Sequence, residues 1–415
     1  MSKLDELIRE LCPDGVEYKK LGEIATVLRG ASPRPIKKYI TNDSDGVNWI
    51  KIGDVPVGSK YITQSEEKIT KEGAEKSRYV RKGDFILSNS MSFGRPYILA
   101  IDGCIHDGWL SISNFKDVFL SDYLYYLLSS SAIQQEMKKR ASFGGAVQNL
   151  ITDIVKALVL PVPPIEVQSE IVRILDNFTK LTAELTAELA ARKTQYSFYR
   201  EKLLDKTEMK ALMVEIADLG KWSGGKTPSM AEKKYWESGT IPWVSSKDVK
   251  QPILSDTIDH ITNAAIDEAS MTVYPAGSVA IVTRSGILRH TFPVTYIPFE
   301  TTVNQDIKIL VTKEGISSRY VSHALQAYGE SIRRTTKKQG GTVDSLDFQK
   351  VLAYKIPVPP LDVQNRIVNV LDNFEKICSD LNIGLPAEIE ARQKQYEYYR
   401  DKLLSFKEHK NELSD

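Results

Sequence analysis

Only three cysteines, Cys12, Cys104 and Cys378, stand in 415 residues. They are far apart and odd in number, so neither a disulfide framework nor a zinc cluster can be read from them. A reducing, cytoplasmic setting is the expectation. Long apolar runs are missing too: no stretch approaches the roughly 20 residues of a membrane span. The opening MSKLDELIRELCPDG is a short amphipathic helix pattern with acids in it. It lacks the basic start and apolar run of a signal peptide. Excess charge is the third absence, with 55 Lys+Arg against 54 Asp+Glu and a net charge of +1. That balance counts against coating nucleic acid through bulk charge, but says nothing of local patches.

Catalytic signatures are also wanting. There is no GxxxxGK[ST] phosphate loop and no GxGxxG after a strand pattern. No Asn-Pro-Pro or Asp-Pro-Pro run of the adenine-methyltransferase kind occurs. The five histidines, His106, His260, His290, His323 and His409, have no metal spacing with Cys or Glu. Cys104 and His106 in CIHDGW fit a structural strand better than a nucleophile and base. Glu66-Glu67-Lys68 is too short a match to a nuclease Glu-x-Lys to carry weight. A 42% hydrophobic, 26% charged composition is that of an ordinary folded protein of two or three domains.

What the chain does have is an internal repeat, which sets the architecture. ALVLPVPPIEVQSEIVRILDNF at 157–178 returns as AYKIPVPPLDVQNRIVNVLDNF at 353–374, an offset of 196. ARKTQYSFYREKLL from Ala191 returns as ARQKQYEYYRDKLL from Ala391, an offset of 200. Weaker echoes precede them: LGEIATVLRGASP with IADLGKWSGGKTP, and NWIKIGDV with PWVSSKDV. The chain is therefore two tandem units whose tails match and whose heads differ. Matching tails suit one shared mechanical task; differing heads suit two versions of one binding task.

The tails predict long helices. Pro163-Pro164 and Pro359-Pro360 can open a helix, with Glu166 and Asp362 at its positive end. Apolar residues then recur every three or four positions: Ile171, Ile174, Phe178, Leu181, Leu185, Leu189, Tyr196, Tyr199, Leu203. The second copy offers Ile367, Val370, Phe374, Ile377, Leu381, Leu385, Ile389, Tyr396, Tyr399, Leu403. This is a coiled-coil-like seam. About 40 residues at 1.5 Å each make a rod of roughly 60 Å. Four extra residues in the second copy, with Gly384 and Pro386, predict a kink or break. Each head begins where the preceding helix ends, so the two helices should pair antiparallel. The helix pattern at 2–12 should lie beside the C-terminal helix.

The expected fold is α+β: two α/β-type heads in tandem, each followed by a long helix, the helices forming an antiparallel coiled coil. The expected boundaries are a first head at 1–160, a first spacer helix at 161–207, a second head at 208–356 and a second spacer helix at 357–415. Strand patterns (VNWIKI, DFILSN, PWVSS, SVAIVT) mix in the heads with single helix patterns at 120–140 and 317–338.

Candidate nucleic-acid contacts cluster. Arg29, Arg34, Lys37 and Lys38 occur with no acid between Glu23 and Asp43. Lys226 is a counterpart in the second unit. Lys138, Lys139 and Arg140 precede SFGGAVQ, and Arg333, Arg334, Lys337 and Lys338 precede QGGTVDS. Cations followed by exposed backbone N–H groups can grip phosphate, or simply cap a helix. SNSMSFGR at 88–95 and TRSGILRH at 283–290 add Asn89, Ser90, Arg95, Arg284, Ser285, Arg289 and His290, types suited to base edges. Gln148, Lys247 and Gln339 complete the set. The net charge of +1 is then a sum of parts. Residues 26–40 and 331–340 each hold four cations and no acid; 165–190 holds five acids against two cations.

The paired P-V-P-P-[IL]-[ED]-V-Q…LDNF and A-R-x-x-Q-Y-x-[FY]-Y-R-[ED]-K-L-L segments, each closing a differing head, resemble the specificity subunit of type I restriction–modification enzymes. The resemblance covers essentially the whole chain. It implies a non-catalytic DNA-recognition subunit whose heads each read half of a bipartite, asymmetric double-stranded target. It implies paired helices that set the gap and dock two methyltransferase subunits, with two motor-nuclease subunits joining for cleavage. No cofactor is then expected in this chain: S-adenosylmethionine, and ATP with Mg for cleavage, belong to the partners. The docking candidates are Gln168, Arg192, Gln195, Tyr196, Tyr199, Arg200, Gln364, Arg392, Gln395, Tyr396, Tyr399 and Arg400. No metal ligand, no catalytic residue and no membrane contact is expected. A coiled-coil adaptor, or a nuclease or transferase with an unrecognised site, are the alternatives.

Overall fold

The structure, a computed structural model, describes residues 2–55, 58–89, 93–143, 148–207, 211–338, 343–379 and 383–409. It divides into two compact units: Met1–Leu185 with Ile389–Asp415, and Thr186–Glu388.

In the first unit, one five-stranded sheet runs in the order Thr26–Arg29, Trp109–Ser113, Phe85–Ser88, Pro96–Leu99, Tyr61–Ile62. A second runs Ile40–Thr41, Glu67–Ile69, Val47–Ile50, Gly103–Ile105, Arg78–Val80. The second unit repeats the plan with fewer strands. Its larger sheet is Gly220–Gly224, Ile307–Thr312, Ser278–Val282, Val294–Ile297; its smaller one is Asp259–Ile261, Ile241–Val244, Thr302–Val303. The second sheet named in each unit contains one parallel pair, Trp49 opposite Cys104 and Trp243 opposite Thr302. The loop leaving the second strand of each pair builds the candidate site.

The helix patterns at 120–140 and 317–338 are each two helices, not one. Ser121–Ser129 gives way to Ser131–Arg140, and Ser318–Ala327 to Gly329–Thr336. The cause of the first break is local. Ser130 is extended, and its hydroxyl accepts from Ile133 N, capping the second helix.

One helix, Ile165–Leu203, contributes its first part to one unit and its last part to the other. The second copy is two helices, Leu361–Ser379 and Leu385–Leu403, interrupted where Gly384 and Pro386 stand. In the first unit's core, Val167, Ile171 and Leu175 meet Leu404. In the second, Ile367 and Leu371 meet Leu204. A helix start thus shares a core with a helix end each time, which is antiparallel pairing. Ring stacks repeat it: Phe178 on Tyr399 at 5.6 Å, and Phe374 on Tyr199 at 5.5 Å.

The seam differs from the sequence expectation in detail. Leu181, Val370 and Ile377 are exposed, while Val167, Leu175, Leu371 and Cys378 are buried. Val167 and Leu175 pack into the core of the first head and Leu371 into that of the second, so the buried stripe there turns toward the head.

Each helix start is pinned by one glutamine. Gln168 Oε1 accepts from Leu120 N at 2.9 Å, and its amide donates to Val118 O and Pro163 O. Gln364 repeats this with Ser317 N, Gly315 O and Pro359 O. Both side chains are 1% exposed. The chain's two ends close the first unit. Val16 N donates to Lys407 O, His409 N donates to Val16 O, and Lys3 pairs with Glu170 at 3.2 Å.

Candidate nucleic-acid interface

The first head builds its candidate surface around a loop that follows the parallel strand Gly103–Ile105. Asp107 is the hub. Its Oδ1 accepts from Ser32 Oγ at 2.8 Å, and its Oδ2 lies 3.4 Å from Arg34. Its backbone carbonyl accepts from Arg29 Nε at 3.3 Å and from the Asn89 amide at 2.9 Å. The Ser32 hydroxyl, ahead of the nearby charges of His106 and Arg34, holds the Asp107 carboxyl below its ordinary pKa. It is thus ionised among cations. Gly30 is needed here because a Cβ would collide with the His106 carbonyl.

This brings Arg29, Arg34 and Asn89 together. Lys37 and Lys38 stand exposed in the adjoining turn Ile36–Lys38. Arg95 is exposed and lies over the Tyr97 ring at 5.5 Å. Its loop meets the basic helix, since Gln134 donates to Gly94 O at 2.9 Å. Lys139 is exposed at the end of that helix. Strand Gln148–Asn149 pairs back onto Ser142–Phe143. Ser90 and Gln339 lie outside the described residues.

The second head repeats the frame. Lys226 N donates to Val303 O at 3.0 Å, as Ala31 N does to Ile105 O at 3.1 Å. Thr227 Oγ donates to Gln305 Oε1 at 2.5 Å, the counterpart of Ser32 to Asp107. Gly225 also leaves no room for a Cβ, here against the Val303 carbonyl, one residue earlier in the loop. Beside this loop, Asp344 gathers the basic segment. It pairs with Lys337 at 2.6 Å and Arg289 at 3.4 Å, and its carbonyl accepts from Ser285 N. Arg284 and Lys337 each bridge to the strap at 345–346. Arg284, Arg289, His290, Arg334, Lys337 and Lys338 are exposed. Lys247 sits in a different turn, where its N–H meets Ser245 Oγ.

Asn89, Arg333, Gln168 and Gln364 are corrected as sequence-predicted contacts. Asn89 is 6% exposed and spent on the Asp107 carbonyl, so it shapes the loop instead of facing a base. Arg333 is clamped by Glu330 and by the Leu288 and Arg289 carbonyls. Gln168 and Gln364 cannot dock a partner, because they are buried and fully hydrogen-bonded within their own unit. Arg140 is braced by Glu136 and the Ala157 carbonyl, though it stays exposed.

On the spacer, the tyrosines and the second arginine of each motif pack within their own unit. Arg200 lies over Tyr196 and Arg400 over Tyr396. Burial pushes both phenols up to about 12. Arg400 also donates to Ser131 Oγ at 3.0 Å. Arg192 bonds Gln195 at 3.1 Å, and Arg392 bonds Gln395 at the same distance. Sequence reasoning missed the two aromatics that face outward beside them, Phe198 and Tyr398, at 59% and 62% exposure. Their matched positions in the repeat were the available signal. A shallow concavity of about 740 Å³ is lined by Arg192, Gln195, Phe198 and Tyr199.

Among the described residues, one trio of metal-ligating type comes together: His323, Asp372 and Glu375. Arg319 already pairs with both carboxylates, so the cation in place is a guanidinium. Cys104 is buried, and burial pushes its thiol up; His106 accepts from Gly108 N. Neither is poised for catalysis. No helix among the described residues is long and apolar enough to cross a membrane.

The family model for the type I restriction modification DNA specificity domain matches twice, at residues 13–192 and 209–391. The specificity subunit of the type I restriction enzymes EcoR124I/EcoR124II from Escherichia coli is 47% identical over 246 residues, 59% of this chain and 61% of that protein. The chain therefore spans less than two thirds of that relative. A putative type I restriction enzyme specificity subunit from Haemophilus influenzae is 28% identical over 94% of this chain and 96% of its own length. The HsdS subunit from Thermoanaerobacter tengcongensis shares the fold at 15% identity and a TM-score of 0.55, covering 95% of this chain and 96% of that one.

Proposed function

The chain belongs to the type I restriction–modification DNA specificity family, with two specificity domains in tandem, and from that premise we propose how it works. Specificity subunits are the non-catalytic components of these systems, so the adaptor and hidden-enzyme alternatives are not favoured. Each head reads one half of a split, asymmetric duplex target. The observation that carries this is the matched frame with unmatched contents. Gly30 and Gly225, Ser32 and Thr227, and the loops they hold keep one geometry. The side chains displayed there differ.

Exposed cations around the loops, Arg34, Lys37 and Lys38 in one head and Arg334 and Lys338 in the other, supply sequence-independent phosphate contact. The spacer helices dock two methyltransferase subunits through Arg192, Gln195 and Phe198 and through Arg392, Gln395 and Tyr398. Those partners hold S-adenosylmethionine; motor-nuclease subunits with ATP and Mg join for cleavage. The complex works in the cytoplasm. The test is methylome sequencing of a host carrying this chain with its methyltransferase, against a strain lacking the chain. A chain-dependent bipartite adenine-methylation motif is expected. An identical methylome in both strains overturns the proposal.

A further inference from the structure

The position occupied by Asp107 in one head and Gln305 in the other stands out from its surroundings. The backbone hydrogen bonds beneath it are matched. Gly30 and Gly225 both run hard against the loop backbone, at the His106 and Val303 carbonyls, and a hydroxyl, Ser32 or Thr227, donates to the side chain each time. The residue just after the neighbouring strand, Phe85–Ser88 or Ser278–Val282, is held alike too. Asn89 N donates to Gly108 O at 3.1 Å and Thr283 N to Asp306 O at 2.8 Å. Leu150 N donates to Asn89 O and Leu346 N to Thr283 O. At the tip the chemistry changes, from a carboxylate to an amide.

The carboxylate is the odd member of its patch. Arg34 lies 3.4 Å from it, Arg29 bonds its carbonyl, Lys37 and Lys38 follow in the turn after Arg34, and its side chain is 45% exposed. An acid there repels phosphate, so a phosphate-gripping role does not explain it. A base edge does. A carboxylate accepts from the exocyclic amino group of cytosine, while an amide pairs bidentately with adenine through N6 and N7. Each side chain has acceptor capacity left beyond its one hydroxyl donor.

We propose that residues 107 and 305 are the specificity-determining readers of the two heads, Asp107 taking a cytosine and Gln305 an adenine, one in each half of the target. This rests on the DNA-recognition function proposed above and names the residues that carry it. Asp107→Asn and Gln305→Glu keep the size and the hydroxyl bond, so the frame should survive.

The experiment is methylome sequencing of a methylation-deficient host expressing the full complex with wild-type chain, D107N, Q305E or R34A. D107N should relax or switch one base of one half-site only, and Q305E one base of the other half. R34A should lower methylation without changing the motif. An unchanged motif in both tip variants overturns the inference, as does a change spread over both halves. So does loss of methylation at every site by an assembled variant complex. If R34A reproduces the D107N change, Asp107 braces Arg34 and is not itself the reader. Failure of the wild-type chain to yield any chain-dependent motif would instead defeat the wider function.

Discussion

Two clasps join head to helix at the same rung of the repeat, and they are built from different chemistry. In the first unit, the Tyr126 phenol donates to Asp176 at 2.5 Å. Lys60 pairs with Asp122 and lies over the Tyr125 and Tyr126 rings. In the second, Asp372 stands where Asp176 does and meets His323 Nε2 at 2.7 Å. Arg319 sits between Asp372 and Glu375. One clasp is a phenol and a partly buried lysine pair; the other also buries a carboxylate, Glu375, against its arginine. The lesson is that the repeat dictates where the helix aspartate stands, and the head decides what answers it. A buried acid must be answered by something, but several partners will do.

The largest test of that contrast is Arg319→Ala. It strips the cation from Asp372 and from Glu375, which is 6% exposed. A broken buried pair costs about 3–5 kcal/mol. Tyr126→Phe in the first unit should cost about 1 kcal/mol, since one hydrogen bond is lost. Urea titrations of both variants measure the gap, and equal losses would erase the distinction drawn here. Next come the glutamine pins, where the units are alike. Gln168→Ala and Gln364→Ala each leave buried backbone groups unpaired and should each cost about 1–3 kcal/mol. A loss in only one of them would show that the pins are not equivalent.

The pH dependence should split the clasps in opposite directions. Burial raises the Asp372 pKa, but His323 and Arg319 together hold it below the ordinary value. Its contribution is therefore present above about pH 4 and is lost as pH falls through the lowered folded value. For Tyr126, burial and the bond to Asp176 push the phenol up. Its contribution is present below about pH 10 and is lost as pH rises through the raised value. Denaturant midpoints against pH should show Asp372→Asn flattening the acid limb and Tyr126→Phe the alkaline limb. The smallest effect lies on the surface. Lys338→Ala should weaken binding of the assembled complex to all duplexes alike and reduce the salt slope by about 1.

Much of the fold was legible because it is periodic or repeated. The tandem plan, the antiparallel helices and the break at Gly384–Pro386 follow from spacing and proline chemistry alone. The N-terminal helix beside the C-terminal end followed from the chain path. The failures share a cause, which is that burial of a polar residue depends on contacts far away in sequence. Gln168 and Gln364 look like surface polar residues of a helix, yet a head loop about 50 positions earlier closes over each. Asn89 carries base-reading chemistry, but the carbonyl of Asp107 claims it. Asp107 is not legible as a reader from the sequence, because an acid has no evident place in a basic patch until its neighbours are set in space.

The central claim is that each head reads one half of a split target by itself. Exchanging residues 1–160 for the corresponding head of another specificity subunit, then sequencing the host methylome, tests it most directly. The account predicts a motif with one half replaced and the other half unchanged. A motif altered in both halves, or in neither, contradicts it.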